Sequence, residues 1–333
     1  MNRSGFTVAE LMISMALFSM VAAAVSWLVL SANHSQAGAA RVDGAQNALR
    51  VAMEYMTRDI QMAGAGVSSG RLYDWRTTPN NVPIFPVQVT NSATDSDEIT
   101  LITVDAHRYA VLTVDYIPPG PVVGSAHRIW TTDCTNLRGG AGSNFLIQIS
   151  DLSEGMLRFT QGWDSSTPCT YLGLSYLSPS GVGSEPRQWA QGSYVFAVRW
   201  VTYRIDRTTN IPTLVMIPSP GAAAQPLAEG IEDLQIILGI DSNGNGLVEG
   251  GGSTAATNER IYDYPGETAP ADLSQLRSVE VILVARTSVP DESMAGSGGF
   301  PTGATIGDHP LPAPDRYHRR VAIANIAVRS LNL

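Results

Sequence analysis

The chain of 333 residues contains no lysine; all 21 of its basic side chains are arginine. Every mechanism built on a lysine amine is thereby excluded, including the P-loop phosphate cradle, Schiff-base chemistry and the kinase strand lysine. Charge of any sign is scarce: 15% of residues are charged, well under the usual quarter, which argues against a long solvating tail. The charge present leans acidic, at net −9, whereas a nucleic-acid binder would normally show a basic face. The 31 Gly and 20 Pro are only slightly above average usage, which rules out collagen-like and low-complexity designs. The five His, at 34, 107, 127, 309 and 318, are scattered without metal-ligand spacing. Only two Cys are present, Cys134 and Cys169, and neither sits in a nucleophile motif.

The apolar content, 44% overall, is concentrated at the N-terminus. Residues 11–30 carry no charge, and at about 1.5 Å per residue they span roughly 30 Å, one bilayer core. Arg3 is the only cation ahead of this run, which predicts a cytoplasmic N-terminal end. Glu10 heads the run, where an ionisable group is costly in lipid and therefore a functional candidate. A cleaved signal peptide would use Ala22-Ala23-Ala24 as its cleavage site, and a plain anchor would need only the apolar run. Neither explains Glu10. The string Met1-Asn2-Arg3-Ser4-Gly5 followed by Phe6-Thr7-Val8-Ala9-Glu10 resembles the type IV prepilin motif. The resemblance implies cleavage after Gly5 by prepilin peptidase, N-methylation of the new terminus at Phe6, and a role for Glu10 in filament assembly. The physical reason is that a buried carboxylate needs a partner, which a neighbouring subunit's N-terminal amine can supply.

Beyond residue 40 the pattern turns amphipathic without a proline. Val42, Ala45, Leu49, Met53, Met56, Ile60 and Ala63 recur every three or four residues as one helical stripe. Arg41, Asp43, Gln46, Asn47, Arg50, Glu54, Thr57, Arg58 and Gln61 are expected on the outer surface. Gly38 and Gly44 weaken the pattern locally, and Gly64 and Gly66 supply its stop. One helix over residues 6–63 is expected. The organisation reads as a leader (1–5), a transmembrane or filament-core helix (6–32), its amphipathic continuation (33–66) and a β-rich globular part outside the cytoplasm (67–333).

Major pilins commonly carry Gly and Pro where this chain has Ser19 and Trp27, which favours a minor pilin or pseudopilin. Arg58-Asp59-Ile60-Gln61-Met62-Ala63-Gly64 resembles the helix exit of PilW-type minor pilins. Residues 228–235 with 239–241 resemble their central strand, and residues 276–286 and 317–329 their closing strands. The implied fold is α+β and pilin-like, a long N-terminal helix packed on an antiparallel β-sheet with large loops. Short runs rich in Val, Ile, Leu, Thr and aromatics at 98–105, 108–116, 145–150, 156–162, 194–205, 213–217, 231–240, 279–287 and 321–331 are the expected strands. Residues 291–314 are expected to form a long surface loop, and Trp163, Trp189 and Trp200 to be core or sheet-face residues and not a sugar platform.

If the chain is exported, Cys134 and Cys169 are expected to form a disulfide. The segment Asp241-Ser242-Asn243-Gly244-Asn245-Gly246-Leu247-Val248-Glu249 matches the first nine places of a calcium loop. Its expected Ca2+ ligands are Asp241, Asn243, Asn245, the Leu247 carbonyl and Glu249. The usual bidentate Glu is replaced by Gly252, which predicts weak affinity unless Glu259 or Asp263 folds back. The alternative is a simple Asn-Gly hairpin turn. Gly66-Val67-Ser68-Ser69-Gly70 matches an esterase string but follows a helix instead of a strand, so it is not a nucleophile elbow. The leading expectation is a minor pilin of a type IV pilus, no enzyme, inserted in the inner membrane by a single span and then incorporated in the filament. Its partners would be other minor and major pilins, prepilin peptidase and the inner-membrane assembly platform. The alternatives are a J-type secretion pseudopilin, a calcium-dependent adhesin tethered by a pilin helix, and an anchored exported enzyme.

Overall fold

The computed structural model describes residues 8–67, 72–74, 83–117, 127–137, 145–163, 165–174, 188–219, 222–250, 258–262, 267, 273–291, 305–310 and 315–328. Gly5 and Phe6 lie outside the described residues.

A single helix, α1 (Val8–Met62, 55 residues), opens the chain and is about 82 Å long. It runs unbroken through Gly38 and Gly44. Ala45, Leu49, Met56, Ile60 and Ala63 are buried as their spacing predicts, while Val42 and Met53 are half-buried and Ala52 joins the stripe. Burying each large member contributes about 1.5–3 kcal/mol. Asp59, which lies outside that stripe, is buried as well. The helix stops at Gly64 and Gly66, whose φ angles of 83° and 70° leave the helical region. The exit is pinned to the sheet by Gly64 N–H donating to Ile102 O and Val104 N–H to Ala65 O, both at 2.9 Å.

Eleven strands form the first sheet: β1 (Leu72–Asp74), β2 (Pro83–Ile84), β3 (Val87–Thr90), β4 (Glu98–Val111), β5 (His127–Trp130), β6 (Leu146–Ser150), β7 (Gly155–Trp163), β8 (Tyr171–Leu174), β9 (Tyr194–Asp206), β10 (Thr213–Ile217) and β11 (Gln225–Glu229). Its main path is β11-β10-β9-β6-β7-β1-β2, with β4 and β3 branching from β9, and β8 and β5 from β7. The second sheet has order β13-β12-β14-β17, from β12 (Ile231–Ile240), β13 (Arg260–Ile261), β14 (Leu276–Arg286) and β17 (Arg319–Ala327). A hairpin of β15 (Thr305–Ile306) and β16 (His309–Pro310) stands apart. The pairings are antiparallel except β1 on β7, which is parallel.

The expected α+β architecture is present, with differences in detail. The runs at 98–105 and 108–116 are joined in one strand, β4, because its register on β9 slips between Asp105 and Tyr109, and a bulge lets pairing resume. The expected central strand at 228–235 divides at Gly230. There φ is 83°, and the Gly230 O accepts from Arg286 N at 2.8 Å. The division hands the chain from the first sheet to the second. The expected surface loop at 291–314 contains the β15–β16 hairpin, and Asp308 in its turn is buried.

The second half of α1 packs on β17, β14 and β11. Its stripe shares one core with Tyr203 and Leu214 of the first sheet and Leu234, Ile236, Val281 and Leu283 of the second. A separate cluster gathers Ile147, Leu172, Leu174, Trp189 and Val195 around Cys134 and Cys169. Trp189 and Trp200 are both buried, as expected of core or sheet-face residues.

Candidate functional site

Four features carry chemistry beyond the ordinary core. The first is the N-terminal half of α1. Every large apolar side chain from Val8 to Leu30 is at least half exposed, and α1 is the one described helix long and apolar enough to cross a membrane. Glu10 lies in its first turn. Ser14 and Ser19 donate their hydroxyls to Leu11 O at 2.9 Å and Ala16 O at 2.8 Å, so these polar groups are satisfied within the helix itself.

The second feature locks the helix exit to the sheet. Asp59 accepts from Arg199 Nη1 at 2.7 Å and Nη2 at 2.9 Å, and from Tyr203 Oη at 2.7 Å. Burial raises the Tyr203 phenol pKa above its usual value, and the Asp59 carboxylate beside it adds to the effect. Sequence spacing gave no sign of this, because Arg199 and Tyr203 lie 140 and 144 residues downstream. A comparable knot closes the second sheet. Arg319 bonds Glu232 through Nε at 2.6 Å and Nη2 at 3.1 Å, and Asp315 through Nη1 at 2.6 Å and Nη2 at 2.8 Å. His318 meets Asp291 at 3.1 Å.

Third is the loop after β12. Asp241 is fully buried; its Oδ2 accepts from Gly246 N at 3.0 Å and from Arg277 Nε at 3.2 Å, while its Oδ1 has no donor among the described residues. Burial works against its charge, yet the Gly246 N–H and the Arg277 guanidinium hold its carboxyl below the usual range. Asn243 Oδ1 accepts from Asn245 N and Asn245 Oδ1 from Leu247 N, while both amide NH2 groups turn toward Glu249, at 3.4 and 3.2 Å. Glu259 does fold back, but as a cap: Oε1 accepts from Ser242 N and Oγ and from Asn243 N, and Oε2 from Glu249 N. The Glu249 N–H is the main cause of a lowered Glu259 pKa. The five expected calcium ligands therefore share one loop, in which Arg277 and two amides provide the compensating charge and donors.

Fourth is a buried acidic seam between the sheets, which sequence reasoning missed. Asp97 Oδ1 accepts from Ser92 N at 2.9 Å and Oδ2 from Ile236 N at 2.8 Å. Burial pushes the Asp97 carboxyl up to about 7; the two N–H donors pull it down, and the Asp308 and Asp233 charges push it back up. Burial alone would also raise Asp233, but the hydrogen bond and charge of His309, at 2.7 Å, bring it below its usual value. The same hydrogen bond raises His309. Asn91 Nδ2 donates to Asp308 Oδ2 at 2.7 Å. The signals in the chain were Asp95-Ser96-Asp97 and Gly307-Asp308-His309, more than 200 residues apart, and no spacing rule links them.

The disulfide is present between Cys134 and Cys169. Among the described residues no three His, Cys, Asp or Glu converge as a metal cluster.

Two family descriptions match the chain: the prokaryotic N-terminal methylation motif over residues 1–26, and type IV pilus-assembly protein W over residues 202–330. A solved type IV-like pilin from Thermus thermophilus is 10% identical, covering 86% of this chain and 98% of its own with a TM-score of 0.35. No curated protein is significantly similar. The methylation motif falls on the start of the exposed helix, and the pilus-assembly region covers Gly230, the second sheet and the Arg319 knot. Over these two regions the chain is similar to PilW-like type IV pilins.

Proposed function

We propose that this chain is a minor pilin. Prepilin peptidase cuts after Gly5, the new terminus at Phe6 is methylated, and the helix anchors the chain in the inner membrane by a single span until the assembly platform moves it into a filament. There it joins other minor and major pilins in a complex that primes assembly, and its role is structural, not enzymatic. The observation that carries this reading is the apolar half of α1. Its side chains from Val8 to Leu30 have no cover within the described chain, and a surface of that extent requires lipid or neighbouring helices. Ser14, Ser19, Ala23 and Ser26 are small enough to let helices approach closely. Glu10, at the head of this surface, would pair with a neighbouring subunit's terminal amine.

The test is incorporation. Glu10→Ala is expected to leave the globular part folded and to remove the chain from sheared filaments. Gly5→Ala is expected to leave the leader attached, which intact mass measures directly. Normal incorporation of Glu10→Ala together with a correctly processed Gly5→Ala chain refutes the reading. We further propose that the loop 241–249 binds Ca2+ weakly, on the support of the undonated Asp241 Oδ1.

A further inference from the structure

Among the described residues, three buried side-chain oxygens at the seam between the two sheets have no hydrogen-bond donor: Asn91 Oδ1, Gln235 Oε1 and Asp308 Oδ1. Gln235 and Asp308 are each only 1% exposed. Their positions are coupled. Asn91 Nδ2 holds Asp308 Oδ2 at 2.7 Å. Gln235 Nε2 donates to Asp233 Oδ1 at 3.1 Å and Asp95 O at 3.4 Å, which fixes the amide and leaves Oε1 on its other side. That oxygen faces the hairpin turn: a Cβ added to Gly307, the residue before Asp308, would lie 3.9 Å from Gln235 Oε1 and 3.5 Å from the Tyr262 carbonyl. Asp97, also 1% exposed, borders the same place through its bond to Ile236 N, the residue after Gln235.

The nearby cations are spent elsewhere. His309 is bonded to Asp233, and Arg207 to Asp95, Ser96 and the Glu232 carbonyl. Neither Asp97 nor Asp308 forms an ion pair among the described residues. Buried acceptors without donors are costly, and buried carboxylates without a counter-charge more so. A hard divalent cation answers both needs at once.

We propose that Asp308 Oδ1, Gln235 Oε1 and Asn91 Oδ1, with the Asp97 carboxylate beside them, form a buried Ca2+ site that ties the β15–β16 hairpin to both sheets. The donors are all oxygens, a mixture of carboxylate and amide, which suits calcium's six to eight flexible ligands and disfavours zinc or copper. Magnesium demands a stricter octahedron and keeps its water. Only two carboxylates contribute, so the Kd falls in the range of extracellular modules, about 0.1–1 mM. The site is separate from the loop 241–249, where Arg277 already meets the Asp241 charge.

The experiment uses the full chain in detergent, stripped with EDTA and titrated with calcium chloride, followed by calorimetry and thermal melts, with magnesium chloride in parallel. Calcium, but not magnesium, raises the melting temperature of the wild type. Asp308→Asn weakens binding at least about tenfold and removes most of that rise, while Asp241→Asn keeps it. If circular dichroism shows Asp308→Asn unfolded, Asn91→Ala serves instead, with several-fold weaker binding expected. No heat and no melting shift up to about 5 mM calcium, several times the weakest expected Kd, overturns the proposal. So does wild-type affinity in folded Asp308→Asn or in Asn91→Ala; the orphaned oxygens then hold waters only.

Discussion

Replacing Asp59 with Ala should unlatch the helix from the first sheet, and the structure sets the size of the effect. The carboxylate is 4% exposed and receives three hydrogen bonds, two from Arg199 and one from Tyr203. The Arg199 side chain is 45% exposed and can return to water, so its two bonds are discounted to about 1 kcal/mol together. Tyr203 cannot, because it is fully buried, and its hydroxyl is left without an acceptor at a cost of about 1–3 kcal/mol. The expected loss is about 3 kcal/mol, which for a chain of this size lowers the melting temperature by roughly 4–5 °C. Denaturant unfolding followed by tryptophan fluorescence measures it, with the second variant Tyr203→Phe as the control. Tyr203→Phe should be less damaging in the Asp59→Ala background than in the wild type, with a coupling of about 1–2 kcal/mol, because the orphaned hydroxyl is then gone. A loss below about 1 kcal/mol in Asp59→Ala, or strictly additive variants, refutes the argument that the buried hydroxyl carries the cost.

Other expectations follow from the same structure. Reducing the Cys134–Cys169 bond, or changing both to Ser, frees a 35-residue separation and should cost about 4 kcal/mol in the chain-entropy model, read as a lower denaturant midpoint; an unchanged midpoint refutes it. Gly230→Ala places a Cβ at φ 83°, 3.0 Å from Arg286 O, and should cost about 2 kcal/mol in the same assay. Asp241→Asn should reduce calcium binding by the loop 241–249 and also lower the melting temperature without calcium, because it removes the buried carboxylate that Arg277 and the Gly246 N–H hold. Unchanged calcium binding by the folded variant refutes the loop site.

The legible part of this protein was the part governed by local rules. A charge-free run longer than any soluble helix needs, with Glu10 at its head, declares a helix for lipid or filament and a processing motif before it. A stripe at helical spacing named the face that docks, and runs of β-branched residues located most of the long strands, because burial on one side imposes a period that the chain carries along its length. Tertiary contact decided the rest. Asp59 has no place in the apolar stripe, and its burial follows only from Arg199 and Tyr203, which arrive from a strand far along the chain. Gly230 looked like the interior of one strand, yet its positive φ and contact with Arg286 divide two sheets. Asp97, Gln235 and Asp308 lie on segments with no shared period, and their burial together is visible only once the sheets close on one another. Spacing along the chain records which side of an element faces the core, whereas the identity of the partner across that core is set by packing between elements and has no local signature.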